Sequence, residues 1–185
     1  MVFKKQAEED FNIRAAEFPE MESLINRCAN IYRGAPEWLD DKNNIKTINF
    51  AKSVCSETAR LATLAIGIQI DGSARATWLQ EQIDKVYFQI RHWVEYDCAY
   101  GTVFIKRNGE SLDVFTPADV MIVDYDNQEI KGIIFKDSYT VGRKYYTRLE
   151  YHRFIETTID GVTAYPYYVS NRAYVSKSPQ SIGDK

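Results

Sequence analysis

The sequence predicts an α+β protein in which N-terminal helices pack on a mainly antiparallel, meander-like sheet. Apolar residues recur every three or four positions in the first half of the chain and at alternate positions in the second half. The period changes at Tyr100-Gly101, and turn signals separate the short β segments that follow. We therefore expect a single α+β domain over residues 1–185, with a helical half at 1–99, a β-rich half at 100–175 and a polar, unanchored tail at 176–185.

The helical half is predicted to contain three helices. Residues 18–32 carry apolar side chains at spacings of three and four, and Gly34 with Pro36 ends this first helix. The second helix is expected to begin after Asn43-Asn44, either of which suits an N-cap. Its apolar stripe contains small residues, which permit the close approach of another helix.

A third, longer helix follows the turn Asp71-Gly72-Ser73 and runs to Asp97 or Cys98. After the change of period, Asn108-Gly109 predicts a type I′ hairpin, because both turn positions need φ > 0. Asp160-Gly161 is a second hairpin signal, and Asp124 to Asn127 is expected to form a turn. The predicted strands are residues 102–107, 111–116, 120–123, 130–136, 145–152 and 162–165.

Composition narrows the possible functions. The net charge is −3 and the pI is near 5.5, which argues against a protein dedicated to nucleic-acid binding. Three cysteines without C-x-x-C spacing argue against a disulfide framework and a zinc site. The most apolar stretch, residues 61–70, is half the length needed to cross a bilayer, so we expect no membrane association. The 13 tyrosines suit surfaces that pack against a partner.

The common catalytic and metal motifs are missing from the sequence. The stretch that starts at Asp124 resembles a calcium loop, but Glu129 and Phe135 stand where that loop needs Gly and Glu. His92 and His152 have no ligand partner at metal-site spacing, so a structural role is expected for both. We therefore expect no catalytic, metal or cofactor site and no enzyme. A hydrolase whose carboxylates meet only on folding stays open as an alternative.

A nucleic-acid-binding module is the other alternative. The stretch from Tyr100 to Lys106 is superficially like the base-stacking strand of an RNA-recognition motif, although it lacks the leading basic residue. Basic pairs also flank two predicted hairpin turns. The weak DNA-contact candidates are Lys106, Arg107, Arg143 and Lys144.

Five stretches, taken in order, resemble the N-terminal part of a phage portal protein of the type found in long-tailed phages and prophages of Gram-positive bacteria. The resemblance covers most of the chain, from about residue 32 to residue 178. The stretches are residues 32–38 (YRGAPEW), 48–57 (INFAKSVCSE), Gly101 with 104–106 (FIK), 145–152 (YYTRLEYH) and 171–174 (NRAY).

The resemblance implies a structural subunit of a dodecameric ring at one capsid vertex. Such a ring docks the terminase motor, lets double-stranded DNA pass during packaging and ejection, and later joins the head-to-tail connector proteins. This chain would be the wing, a fragment without the clip, stem and crown regions. Its location would be the virion, and the bacterial cytoplasm during assembly. The candidate assembly residues are Trp38, Asn49, Tyr100, Gly101, Tyr146, Arg148, Asn171 and Arg172.

The same resemblance predicts that this 185-residue piece is monomeric or only weakly self-associating, because ring closure also uses contacts from the missing regions. Light scattering over a concentration series measures this. A stable ring formed by the piece alone would contradict the prediction.

Overall fold

The computed structural model describes residues 2–39, 48–109, 111–127, 129–159 and 161–177, and it confirms the α+β class with a mainly antiparallel sheet. The helices of these residues are α1 (Val2–Phe11), α2 (Pro19–Arg33), α3 (Phe50–Thr63), α4 (Ala74–Val86) and α5 (Ile90–Tyr100). The strands are β1 (Phe104–Asn108), β2 (Ser111–Phe115), β3 (Val120–Asp126), β4 (Glu129–Val141), β5 (Lys144–Phe154), β6 (Thr157–Ile159), β7 (Val162–Ala164) and β8 (Tyr167–Ser176).

Contacts divide the chain into two compact units. The sheet unit is Met1–Phe18 with Asp119–Lys185, and the helical unit is Pro19–Ala118. The change of period at Tyr100-Gly101 therefore lies inside the helical unit, where α5 gives way to the hairpin β1–β2. Gly101 allows this transition because it caps α5 in the left-handed conformation, at φ 77°.

The sheet unit contains a four-stranded antiparallel sheet in the order β3-β4-β5-β8, a meander followed by a strand that returns beside β5. Helix α1 packs on one face of it, because Phe3, Ala7 and Phe11 recur at four-residue spacing and meet the sheet core. Ile134 and Leu149 are completely buried in this core. The helix that covers the sheet is thus one that the sequence analysis did not predict.

Helices α2 to α5 and the hairpin β1–β2 form the helical unit. Helix α3 packs mainly against α5. Ala59 of α3 and Ala29 of α2 are buried. Cys28, Cys55 and Cys98 of this unit are free thiols. Within the described ranges, no helix is both long and apolar enough to cross a membrane.

Several helix predictions were wrong in detail. Helix α3 begins at Phe50 with Asn49 as its N-cap, whereas Asn43-Asn44 lie outside the described residues. The long third helix is interrupted by a 3₁₀ turn at Tyr87–Gln89. Val86, Tyr87 and Phe88, which stand in a row at this interruption, all have lower helix propensity than Leu, Lys or Gln.

Two predicted turns and the predicted tail were also misplaced. Asn108 ends β1 and pairs with Ser111, so it is not the first residue of the hairpin turn. Strand β3 continues through Asp126, where a turn was predicted. The register shifts near Asp124, and pairing with β4 then resumes at Tyr125 and Asp126. Ser176 belongs to β8 and is buried, while residues 178–185 of the predicted tail lie outside the described residues.

Leu149→Ala should lower the free energy of unfolding by about 2–5 kcal/mol, because it opens a cavity in the core beneath α1. Val141→Ala is the control, since Val141 is exposed on β4 and should change stability by less than about 0.5 kcal/mol. Urea unfolding followed by circular dichroism measures both. Equal losses in the two variants would contradict the assignment of this core.

Candidate interaction surfaces

Tyr32 organises the helical unit. At the end of α2, its hydroxyl donates to Glu95 Oε1 of α5 at 2.6 Å, and Glu95 is buried. Burial and the neighbouring Glu95 carboxylate raise the pKa of Tyr32 well above its ordinary value. The Tyr32 backbone carbonyl accepts from Asn49 Nδ2 at 2.7 Å, and the Tyr100 ring lies 6.0 Å from the Tyr32 ring. Tyr32 therefore ties together α2, the start of α3 and α5.

Three of the candidate assembly residues thus belong to the scaffold of the helical unit. Asn49 Oδ1 accepts from the Lys52 backbone N–H at 3.2 Å as the N-cap of α3. Tyr100 packs in an aromatic cluster with Tyr32 and Tyr96, and Gly101 ends α5. Trp38 differs from them, because 68% of its surface is exposed. Of these residues, Trp38 is the one placed to meet a partner.

Tyr146, Arg148 and Asn171 share one face of the sheet, the face opposite α1. Residues directly opposed in neighbouring strands lie on the same face, and the register pairs Tyr146 with Tyr139 and Asn171 with Glu150. The Tyr139 and Tyr146 rings stack with centroids 5.1 Å apart. We call this surface the outer sheet face. The structure therefore brings three of the predicted residues together.

Arg148 lies in an ionic network on the outer sheet face. Its guanidinium is 3.2 Å from Asp137 Oδ2 and 3.7 Å from Glu150 Oε2. Since Arg148 is partly exposed, water screens these pairs, and they fix its geometry more than they add stability. A fixed arginine is a common element of interfaces.

His152, Glu150 and Tyr167 continue this network. Glu150 Oε1 lies 2.6 Å from His152 Nε2, and His152 Nδ1 bonds the Tyr167 hydroxyl. An ionised carboxylate can only accept, so Nε2 donates to Glu150, and in the neutral imidazole Nδ1 then accepts from Tyr167. Burial, together with Glu150, raises the pKa of Tyr167. A tyrosine nucleophile needs the opposite shift, so this arrangement favours a structural role.

Arg172 lies on the other face of the sheet. Its neighbours in the alternating strand β8, Asn171 and Ala173, share the outer face instead. The Arg172 guanidinium is centred 5.4 Å from the Phe11 ring of α1, and Nη1 donates to the Asn171 carbonyl at 2.9 Å. Arg172 therefore helps to hold α1 on the sheet.

The four basic candidates for DNA contact lie at different places. Lys106 is buried, with its Nζ 5.3 Å from the centre of the Phe115 ring, so it is not the solvated turn residue that the sequence suggested. Arg107 is exposed and donates to the Gly109 carbonyl at 2.9 Å. Arg143 and Lys144 are exposed at the turn between β4 and β5, in the other unit. A joint basic patch is therefore not formed within either unit.

Sequence reasoning missed an apolar surface on α3. Phe50, Val54 and Leu61 are exposed, the first by 73% and the last by 58%. At 100° per residue they form a single stripe, and that stripe lies opposite the face that buries Ala59. The four-residue and seven-residue spacings were visible in the sequence, but nothing there showed which face would be covered. We call these three residues the α3 stripe.

No metal centre is apparent in the part of the chain that the structure describes, where no three His, Cys, Asp or Glu side chains gather suitably. Comparison with known proteins adds no identification: no family model, no curated protein and no solved structure matches this chain.

The Tyr32–Glu95 contact predicts a loss of stability at high pH. Because the pKa of Tyr32 is raised in the folded state, its contribution is complete below the pKa of an unfolded tyrosine, about 10, and is lost as pH rises through the folded pKa. Tyr32→Phe should cost about 1–3 kcal/mol near neutral pH, because Glu95 loses its donor.

Urea unfolding between neutral pH and about pH 11 tests this linkage. Wild type should lose stability above about pH 10 more steeply than Tyr32→Phe does. Tyr139→Phe, at an exposed tyrosine, should follow wild type throughout. Parallel curves for wild type and Tyr32→Phe would contradict the assigned role of the hydroxyl.

Proposed function

We propose that this chain is the wing part of a phage portal subunit, which assembles with sister subunits into a ring at the capsid vertex. The five stretches that resemble portal proteins support this proposal, and one structural observation carries it. Among the described residues, helix α3 buries Ala59 on one face and leaves the apolar side chains of Phe50, Val54 and Leu61 exposed on the opposite one. A helix that is apolar on both sides is stable in water only when something covers the second side.

The outer sheet face adds a second surface of suitable chemistry. It presents the stacked Tyr139 and Tyr146 rings, exposed Phe154 and the fixed Arg148. Aromatic residues and arginine are the types that protein interfaces favour. Its hydrogen-bonded network needs no substrate, which suits a structural subunit.

The size of the α3 stripe explains how such a subunit would behave alone. Burying one large apolar side chain gains about 1.5–3 kcal/mol, so three give at most roughly 5–9 kcal/mol. Association costs about 4–15 kcal/mol in lost freedom of motion. The stripe alone therefore about balances this cost, and stable rings would need contacts from further regions.

In this proposal the partners are sister subunits, terminase, capsid and head-tail connector proteins, with double-stranded DNA passing through regions beyond this chain. The protein would reside in the virion, and in the host cytoplasm during assembly. The slightly negative net charge suits such a ring, because strong electrostatic binding to the phosphates would resist the movement of DNA.

The product of the whole reading frame that contains this chain should form closed rings in electron micrographs. Leu61→Glu should lower the yield of rings, because it places a charge in the α3 stripe, while the monomer stays folded since Leu61 is exposed. Ala62→Glu, at an exposed position of α3 about 100° around the helix from Leu61, should assemble like wild type. Electron microscopy of ring yield measures both variants.

Antibodies to this chain should also label one vertex of each phage particle. Absence of rings together with absence of vertex labelling would overturn the portal proposal. Rings that form equally well with Leu61→Glu would overturn the role given to the α3 stripe.

A further inference from the structure

The helical unit contains an open groove between α4 and the hairpin β1–β2. Its volume is about 420 Å³, within the range of small-molecule sites. Both walls come from within the helical unit. Neither the α3 stripe nor the outer sheet face contributes to it, so it calls for a separate explanation.

One wall is a single face of α4. Trp78, Gln82 and Lys85 all line the groove, and their spacing of four and then three residues places them in a row along the helix. Trp78 is 54% exposed, so its indole offers open aromatic surface. Lys85 Nζ donates to Gln82 Oε1 at 3.2 Å, which draws its positive charge towards the same row.

The other wall is one face of the hairpin. Arg107 and Leu112 are directly opposed in the register and both line the groove. The bond from Arg107 Nε to the Gly109 carbonyl leaves the outer nitrogens of the guanidinium available. Lys106 alternates to the other face of β1 and is buried, so it takes no part.

We propose that this groove binds a nucleotide unit, with the base against Trp78 and the phosphate between Lys85 and Arg107. Indole rings stack well on any base. Lys and Arg are the usual phosphate ligands, and among the described residues that line the groove these two cations stand against one carboxylate, that of Glu81. The amide of Gln82 and the carboxylate of Glu81 lie where they can meet the polar edge of a base.

The combination of groups favours a nucleotide over an acidic peptide. A peptide would use the cations and the apolar surface of Leu112, but it has no need of an open indole beside hydrogen-bonding groups. A free nucleotide and a nucleotide within a single strand present the same base and phosphate chemistry to the groove. This site does not depend on ring assembly.

The test measures the anisotropy of a labelled short oligothymidylate at low salt, with unlabelled AMP as competitor. We expect saturable binding that weakens as salt rises. Trp78→Ala should weaken it by roughly tenfold or more, from the loss of stacking. Lys85→Ala with Arg107→Ala should weaken it at least as much. Competition by AMP would show that one nucleotide suffices, and its absence would show that a strand is needed; both results support the site.

Matched controls separate the groove from general charge and aromatic effects. Arg143→Ala with Lys144→Ala removes the same charge from the other unit, and Trp38→Ala removes another exposed indole. Both should bind like wild type. All variants should keep the wild-type thermal unfolding curve, because the changed residues are exposed. The proposal is overturned by no binding at tens of micromolar of either ligand, by equal losses in the controls, or by preferential binding of an acidic peptide.

Discussion

Each unit of this protein is held together by a tyrosine hydroxyl that donates to a carboxylate far away in sequence. In the helical unit Tyr32 donates to Glu95, and in the sheet unit Tyr174 of β8 donates to Asp10 of α1. A buried polar group without a partner costs as much as a good packing contact gains, so these pairs permit few alternative arrangements. The first fixes α2 against α5, and the second fixes α1 on the sheet. Packing at Ile134 and Leu149, and the N-cap of α3, follow from these placements.

The sequence was informative where one physical signal decided the structure. The apolar period of α2, the strict alternation of β5 and the change of period at Tyr100-Gly101 each predicted an element or a transition correctly. It was less informative where packing decides. Helix α1 is only ten residues long, too short to be stable by itself, and it is stabilised by a sheet that forms more than 100 residues later in the chain. Strand β8 was missed because it becomes a strand by pairing with β5.

For the candidate residues too, the sequence located the stretches, but packing decided the role of each side chain. Whether a side chain of a strand faces a partner or the core depends on register, and one position reverses it. Asn171 and Arg172 are adjacent, yet the first joins Arg148 on the outer sheet face and the second packs on Phe11 beneath α1. Lys106 and Arg107 are separated in the same way. The stretches could be found by resemblance. The fold was needed to tell which of their residues hold the units together and which are exposed on a surface.

Two kinds of surface on the helical unit now call for two kinds of explanation. The three side chains of the α3 stripe are apolar, although the Glu57–Arg60 ion pair lies beside them, so the stripe selects a partner mainly by shape and area. The groove beside α4 differs, because its lining includes two cations, an amide and an indole, which are distinct chemical groups. Area without polar groups suits association between large proteins, whereas a few polar groups around an aromatic ring suit a small, charged ligand. Since no residue is shared by the stripe and the groove, each function can be removed by mutation without the other.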